Sequence, residues 1–177
     1  MIDRILRAIR LDWTVFREIA EDQNAMMQAA IIVVVVRFLS AVGSGIASRS
    51  FLGFLIPWIV SILVGWILWA AITYFAGTVL FKGKTDIPEM MRVLGYANAP
   101  NLLGFFGFIP CVGWVIALAG WILALIAGVF AVREAMEFET SQAIITVVIS
   151  WVIAFVINLI VGSIFGVGMA ATSHIVG

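Results

Sequence analysis

Residues 114–132 read Trp114-Val-Ile-Ala-Leu-Ala-Gly-Trp-Ile-Leu-Ala-Leu-Ile-Ala-Gly-Val-Phe-Ala-Val132, with no charged residue along the stretch. A run of this length and composition matches the ~20 apolar residues a helix needs to cross a hydrocarbon core. The rest of the chain has the same character. It is 64% hydrophobic and only 11% charged, with a mean hydropathy of +1.18, whereas a soluble domain carries about 25% charged residues. The fold these numbers imply is all-α, a polytopic membrane helical bundle.

Working outward from that span, four more apolar runs give five transmembrane helices in all. They are Met26–Ala47, which contains Arg37, Phe51–Phe81, about Pro88 to Ile109, and about Gln142 to Met169. Lys82, Gly83 and Lys84 form a stop after the second, with Gly83 suited to a left-handed cap. Thr85-Asp86-Ile87-Pro88-Glu89 then reads as a helix start, with a Thr or Asp N-cap and with Pro and Glu in the first turn. The third run is the weakest, because Asn98, Pro100 and Asn101 lie inside it. The chain divides into residues 1–25, a cytoplasmic amphipathic helix; 26–170, the five-span domain; and 171–177, a short outer tail.

Charge sets the orientation. With the N-terminus inside, eight of ten basic residues lie on the cytoplasmic side: Arg4, Arg7, Arg10, Arg17, Lys82, Lys84, Arg92 and Arg133. Arg49 faces out and Arg37 is embedded. The positive-inside rule therefore predicts a cytoplasmic-membrane protein with its N-terminus in and its C-terminus out.

Met1–Gln28 lacks the apolar core and small-residue cleavage site of a secretory signal. It reads as an amphipathic helix preceding the five spans, with Ile2, Ile5, Leu6, Ile9, Trp13 and Phe16 at helical spacing. Two placements fit. The helix can lie in the headgroup layer as an interfacial helix, with Trp13 and Phe16 inward and Arg4, Arg7 and Arg10 on anionic lipid. Alternatively, it docks on the protein's own cytoplasmic face.

Several function classes drop out. Ten basic residues balance ten acidic ones, which leaves no net charge to draw nucleic acid. Cys111 is the sole cysteine and His174 the sole histidine, so an intrachain disulfide and Cys/His metal sites are excluded. No Asp or Glu lies inside a span to serve as an intramembrane acid or proton relay. Neither cofactor nor metal is expected.

Two polar features remain inside the spans. In the fifth, Gln142, Thr146, Ser150, Ala154, Asn158, Gly162, Gly166 and Ala170 fall on every fourth position, a ridge of small and hydrogen-bonding residues. The fourth has a matching ridge in Gly120, Ala124 and Gly128. Such ridges let helix backbones approach closely, although a polar pore lining is the alternative. The second feature is the break at Asn98-Ala-Pro100-Asn101. Pro100 removes an amide donor and obstructs the Tyr96 carbonyl, which needs a partner in lipid. At about the same depth Arg37 is expected to face the bundle and to donate to Asn98, Asn101 or that carbonyl; snorkelling to water or lipid phosphate is the competing arrangement.

The stretch Arg92-Val-Leu-Gly-Tyr-Ala-Asn-Ala-Pro100 is followed by Leu102-Leu103, a Pro110-x-x-Gly113 turn, a Trp-containing span and Val132-Arg-Glu-Ala135. This combination resembles the Yip family, small five-span proteins named for interaction with Ypt/Rab GTPases. The resemblance implies a non-enzymatic membrane protein acting in the organisation or traffic of membranes, often as an oligomer. Only about 25 residues precede the first span, where eukaryotic members carry a long hydrophilic region, so the chain is similar to the compact prokaryotic members. The expected role is a scaffold, adaptor or accessory subunit, with membrane lipids and either other membrane subunits or itself as partners. The alternative is a small channel or transporter with a path near Arg37, Asn98, Asn101 and Asn158.

Overall fold

The structure is a computed structural model that describes residues 1–43, 62–109 and 112–175; for 40–43, 63–64, 107–108, 158 and 161–175 it describes the backbone alone. The described residues form helices and no strands. The single N-terminal helix expected from the sequence is two, α1 (Ile2–Ile9) and α2 (Thr14–Glu21). Leu11 breaks the run by adopting a left-handed conformation at φ 61. Asp12 then starts α2 with an Asx turn, accepting from the Thr14 amide at 3.0 Å and from its hydroxyl at 2.6 Å. Helix α3 (Ala25–Gly43) follows after a bend of 119°.

A π-turn, Leu63–Ile67, leads into α4 (Leu68–Phe81). The left-handed residue that ends α4 is Lys82, at φ 57, and not Gly83 as the sequence suggested. The Lys82 amide donates to Thr78 O and the Gly83 amide to Gly77 O, filling the last carbonyls of the helix. Gly83 serves packing instead: a β-carbon there would stand 2.7 Å from the Phe138 ring.

Helix α5 (Ile87–Ala97) begins as the sequence predicts. The Asp86 carboxylate accepts from the Glu89 amide at 2.6 Å, with a proline in the first turn. At Asn98 the α-helix stops and a 3₁₀ segment, Ala99–Phe108, takes over. Helices α6 (Gly113–Met136) and α7 (Thr140–Ile175) complete the chain.

Among the described residues two helices are long and apolar enough to cross a membrane, Gly113–Met136 and Thr140–Ile157, or three if the bent pair α2–α3 counts as one span. The described residues thus do not confirm the five continuous spans of the sequence reading. The first part of the second span, residues 51–61, lies outside the described residues, which leaves the apolar helix Gly65–Phe81. The third is a broken element: α5 is about 16 Å long and the 3₁₀ segment about 20 Å, at ~1.5 and ~2.0 Å per residue.

The core gathers α1, α2, α3, α5 and α6. Ala8, Val15, Phe16 and Ile19 are fully buried together with Met90, Val93, Leu94, Tyr96, Ala131 and Val132. The 3₁₀ segment runs along α6, and α7 packs on α4 and α6. Large apolar side chains cover the outside, including Phe38 and Val35 on α3, Val79 on α4, Trp114 and Trp121 on α6, and Val148 and Phe155 on α7. A soluble protein does not expose apolar surface on this scale, whereas a bundle bathed in lipid does.

Candidate functional site

The distinctive polar residues converge where α5 meets α2, α3 and α6. Arg92 is buried, 8% exposed, and its Nη2 donates to the Ala20 carbonyl at 2.7 Å. That carbonyl lies in the last turn of α2, where unmatched carbonyls and the helix dipole favour a cation. Arg92 Nε is also buried and has no hydrogen-bond partner among the described residues. One turn on, Gly95 lies against Ala29 of α3. A β-carbon on Gly95 would stand 2.6 Å from Ala29 Cβ and 3.2 Å from its Cα, so the two helices touch nearly backbone to backbone.

Tyr96 is fully buried, and its hydroxyl donates to Gln28 Oε1 of α3 at 2.5 Å. Arg4 sits beside this phenol and binds Asp22 through Nη1 at 2.7 Å. The bond from Arg4 holds the Asp22 carboxyl below its usual range, and Asp22 in turn raises Arg4. Asn98 is buried and turns its amide back to the Leu94 carbonyl at 2.8 Å, while Asn101 Nδ2 donates to Asn98 Oδ1 over a long 3.4 Å. The Tyr96 carbonyl accepts from a backbone N–H at the cap of α5 itself. The Pro100 carbonyl, finally, packs on α6: a β-carbon on Gly120 would lie 2.8 Å from it. Arg92, Gly95, Tyr96 and Pro100 are thus spent on neighbouring elements, while Asn98 closes the end of its own helix.

The sequence grouped Arg37 with Tyr96, Asn98 and Asn101. Asn101 bonds to Asn98, the Tyr96 hydroxyl turns instead to Gln28, and Arg37 is exposed on α3 with its guanidinium Nη2 3.3 Å from where a Gly65 β-carbon would be.

The interfacial reading of the N-terminus needs correction at three residues. Phe16 does not face lipid; it is fully buried in the shared core, because α2 packs on both α5 and α6. Arg4 and Arg7 are engaged by the protein's own acids, Arg4 by Asp22 and Arg7 by Asp12 at 2.8 Å and Glu18 at 2.9 Å. Trp13 is half-exposed, with Arg133 at 5.2 Å and Arg17 at 5.9 Å from its ring centroid, a cation–π pairing that ties α2 to the end of α6. Arg10 is exposed. The N-terminal helices are docked on the protein.

On α6, Gly120, Ala124 and Gly128 are buried along one face, continued by Ala127, Ala131 and Ala135. On α7, Thr146 and Ser150 are fully buried, and each hydroxyl donates to the carbonyl four residues back, at 2.9 and 2.7 Å. Ala154 is half-buried, while the side chains of Asn158, Gly162 and Gly166 lie outside the described residues. Sequence reasoning missed Ala25 and Ala29, both fully buried and four residues apart at the start of α3. The same small-residue spacing that marked α6 would have found them. Among the described residues, no three His, Cys, Asp or Glu side chains are grouped to hold a metal.

The family profile of the Yip1 domain matches residues 14–162. No curated protein and no solved structure matches the chain.

Proposed function

Because the chain belongs to the Yip family of membrane proteins, we propose that it works without catalysis, as a scaffold or adaptor in a larger membrane assembly. The observation that carries this reading is the α5 junction. Arg92, Gly95, Tyr96 and Pro100 are committed to holding α2, α3 and α6 in place. A channel would need its hydroxyls and amides to face water, yet Thr146, Ser150 and Asn98 each bond within their own helix.

The working surface is then the lipid-facing exterior, available to lipids, to other membrane subunits or to a second copy. On it, Trp121 of α6 meets Trp151 of α7 edge-on at 6.3 Å, and Trp151 stacks on Phe155 at 5.7 Å. Rigid aromatic clusters of this kind suit contact at low entropic cost. The bias of basic residues supports a cytoplasmic-membrane location with the N-terminus inside and the C-terminus outside.

Purification in mild detergent, with co-purifying proteins quantified, tests the proposal alongside an ion-flux assay in liposomes. A stoichiometric membrane-protein partner or a defined self-assembly, without flux, is the expected result. A monomer that conducts ions would replace the adaptor with the channel.

A further inference from the structure

Two unusual features meet on the outer surface of the bundle. Arg37 is the one charged residue within α3, and the turn it leans on, Leu63–Ile67, is a π-turn. Single π-turns within α-helices are rare and recur at functional sites. Gly65 lies within that turn, and its missing side chain makes room for the guanidinium, whose Nη2 is 3.3 Å from the position of a Gly65 β-carbon.

If α3 and α4 run through the membrane, as their apolar composition implies, this contact lies inside it. Arg37 is twelve residues past the start of α3, and Gly65 sixteen residues before the end of α4, or about 18 and 24 Å at ~1.5 Å per residue. A guanidinium at such depth is costly unless it is paired, and a carboxylate pairs it best. The chain holds no Asp or Glu between Asp22 and Asp86, and none after Glu139. Neither span one nor span two of a second copy can therefore supply the anion. A snorkelling arginine stretches along its own helix toward the headgroups, whereas this one reaches sideways onto its neighbour. Along these helices Val34, Val35, Phe38 and Ile67 are all exposed, an apolar surface of the kind a helix packs on.

We propose that Arg37, set against the Gly65 π-turn, is the recognition point for a transmembrane helix of a different protein that carries an Asp or Glu at matching depth. The site rests on the adaptor reading and gives its partner a chemistry. The apolar flank supplies contact area, and the ion pair supplies selection: a partner helix without the carboxylate leaves the arginine unmatched.

The test uses the full chain, donor-labelled at its N-terminus, in phosphatidylcholine vesicles. The probe is an acceptor-labelled single-span polyleucine peptide with one central Glu, compared with the same peptide carrying Gln. Energy transfer several-fold above random mixing is expected for the Glu peptide and not for the Gln peptide. Arg37→Leu should lose that preference and Arg37→Lys should keep it. Equal transfer to both peptides, or a preference unchanged by Arg37→Leu, overturns the site. So does a preference that disappears when a third of the lipid is phosphatidylglycerol, since a net anionic headgroup is then the occupant. If purified Arg37→Leu retains a partner found with the wild-type chain, the Arg37 site falls and the adaptor reading stands. If the wild-type chain holds no partner or second copy, the adaptor reading falls.

Discussion

Gly95 and Ala29 meet with no room between them, since a β-carbon on the glycine would stand 2.6 Å from the β-carbon of the alanine. The obstruction on the α3 side includes backbone, with Ala29 Cα at 3.2 Å, so no rotamer change relieves it. Gly95→Ala should push α3 and α5 apart and lower stability by about 1–3 kcal/mol. A thermal melt in mild detergent reads the effect. A variant that melts with the wild type would show that the contact is slack.

Arg92→Met keeps the unbranched apolar stem of the side chain and removes its bond to the Ala20 carbonyl. Hydrogen bonds from charged donors contribute roughly 1.5–3 kcal/mol, and the variant should lose about that much. The loss should concentrate at α2, so trypsin should cut after Arg17 sooner than in the wild-type chain. Unchanged cleavage would mean that the core around Phe16 and Ile19 holds α2 without Arg92.

Two glycines on one face of α6 should respond differently to the same methyl group. At Gly120 a β-carbon would meet the Pro100 carbonyl at 2.8 Å, whereas at Gly128 it would meet the Trp69 ring at an ordinary 3.7 Å. Gly120→Ala should therefore destabilise, and Gly128→Ala should be neutral or slightly stabilising through helix propensity. Parallel melts of the two variants decide the matter; equal losses would contradict the geometry.

Acid should loosen the N-terminal hairpin. Asp12 is held below its ordinary 3.8, first by the Thr14 hydroxyl and then by Arg7, and Asp22 is held below it by Arg4. A folded-state pKa below the unfolded value gives stability that is fully present above about pH 4 and is lost as pH falls through the depressed values. Proteolysis of residues 1–22 by an acid-active protease should accelerate over that low range and stay flat above it. The double variant Asp12→Asn, Asp22→Asn should already be susceptible at neutral pH.

Cys111 lies outside the described residues, and the proposed N-inside orientation predicts it on the outer side of the membrane. An impermeant maleimide added to intact cells should label it. Labelling only after the membrane is opened would reverse the orientation.

Composition and hydropathy were enough to read the fold class, because a chain this poor in charge has few alternatives to a helical membrane bundle. The start of α5 was legible for a local reason, since Asp86, Pro88 and Glu89 satisfy the first turn by themselves. The placement of Phe16 was not. Its spacing fits a lipid-facing stripe and a docked stripe equally well, and only the pairing of Arg4 and Arg7 with Asp22, Asp12 and Glu18 distinguishes them. Those partners are fixed by the break at Leu11, a left-handed leucine that propensity disfavours. The expected joining of Arg37 to Asn98 rested on matched depths along two spans. Depth carries no information about azimuth around a helix, and the asparagines found acceptors within their own turns.

The bond between Arg92 and the Ala20 carbonyl joins residues 72 positions apart, and that separation has a meaning in time. At synthesis rates of about 5–20 residues per second, the hairpin of α1 and α2 emerges roughly 4–14 s before the arginine that will hold it. Throughout that interval Phe16 and Ile19 have no core to enter. The contact that seats α2 on α5 can therefore close only once α5 has been made.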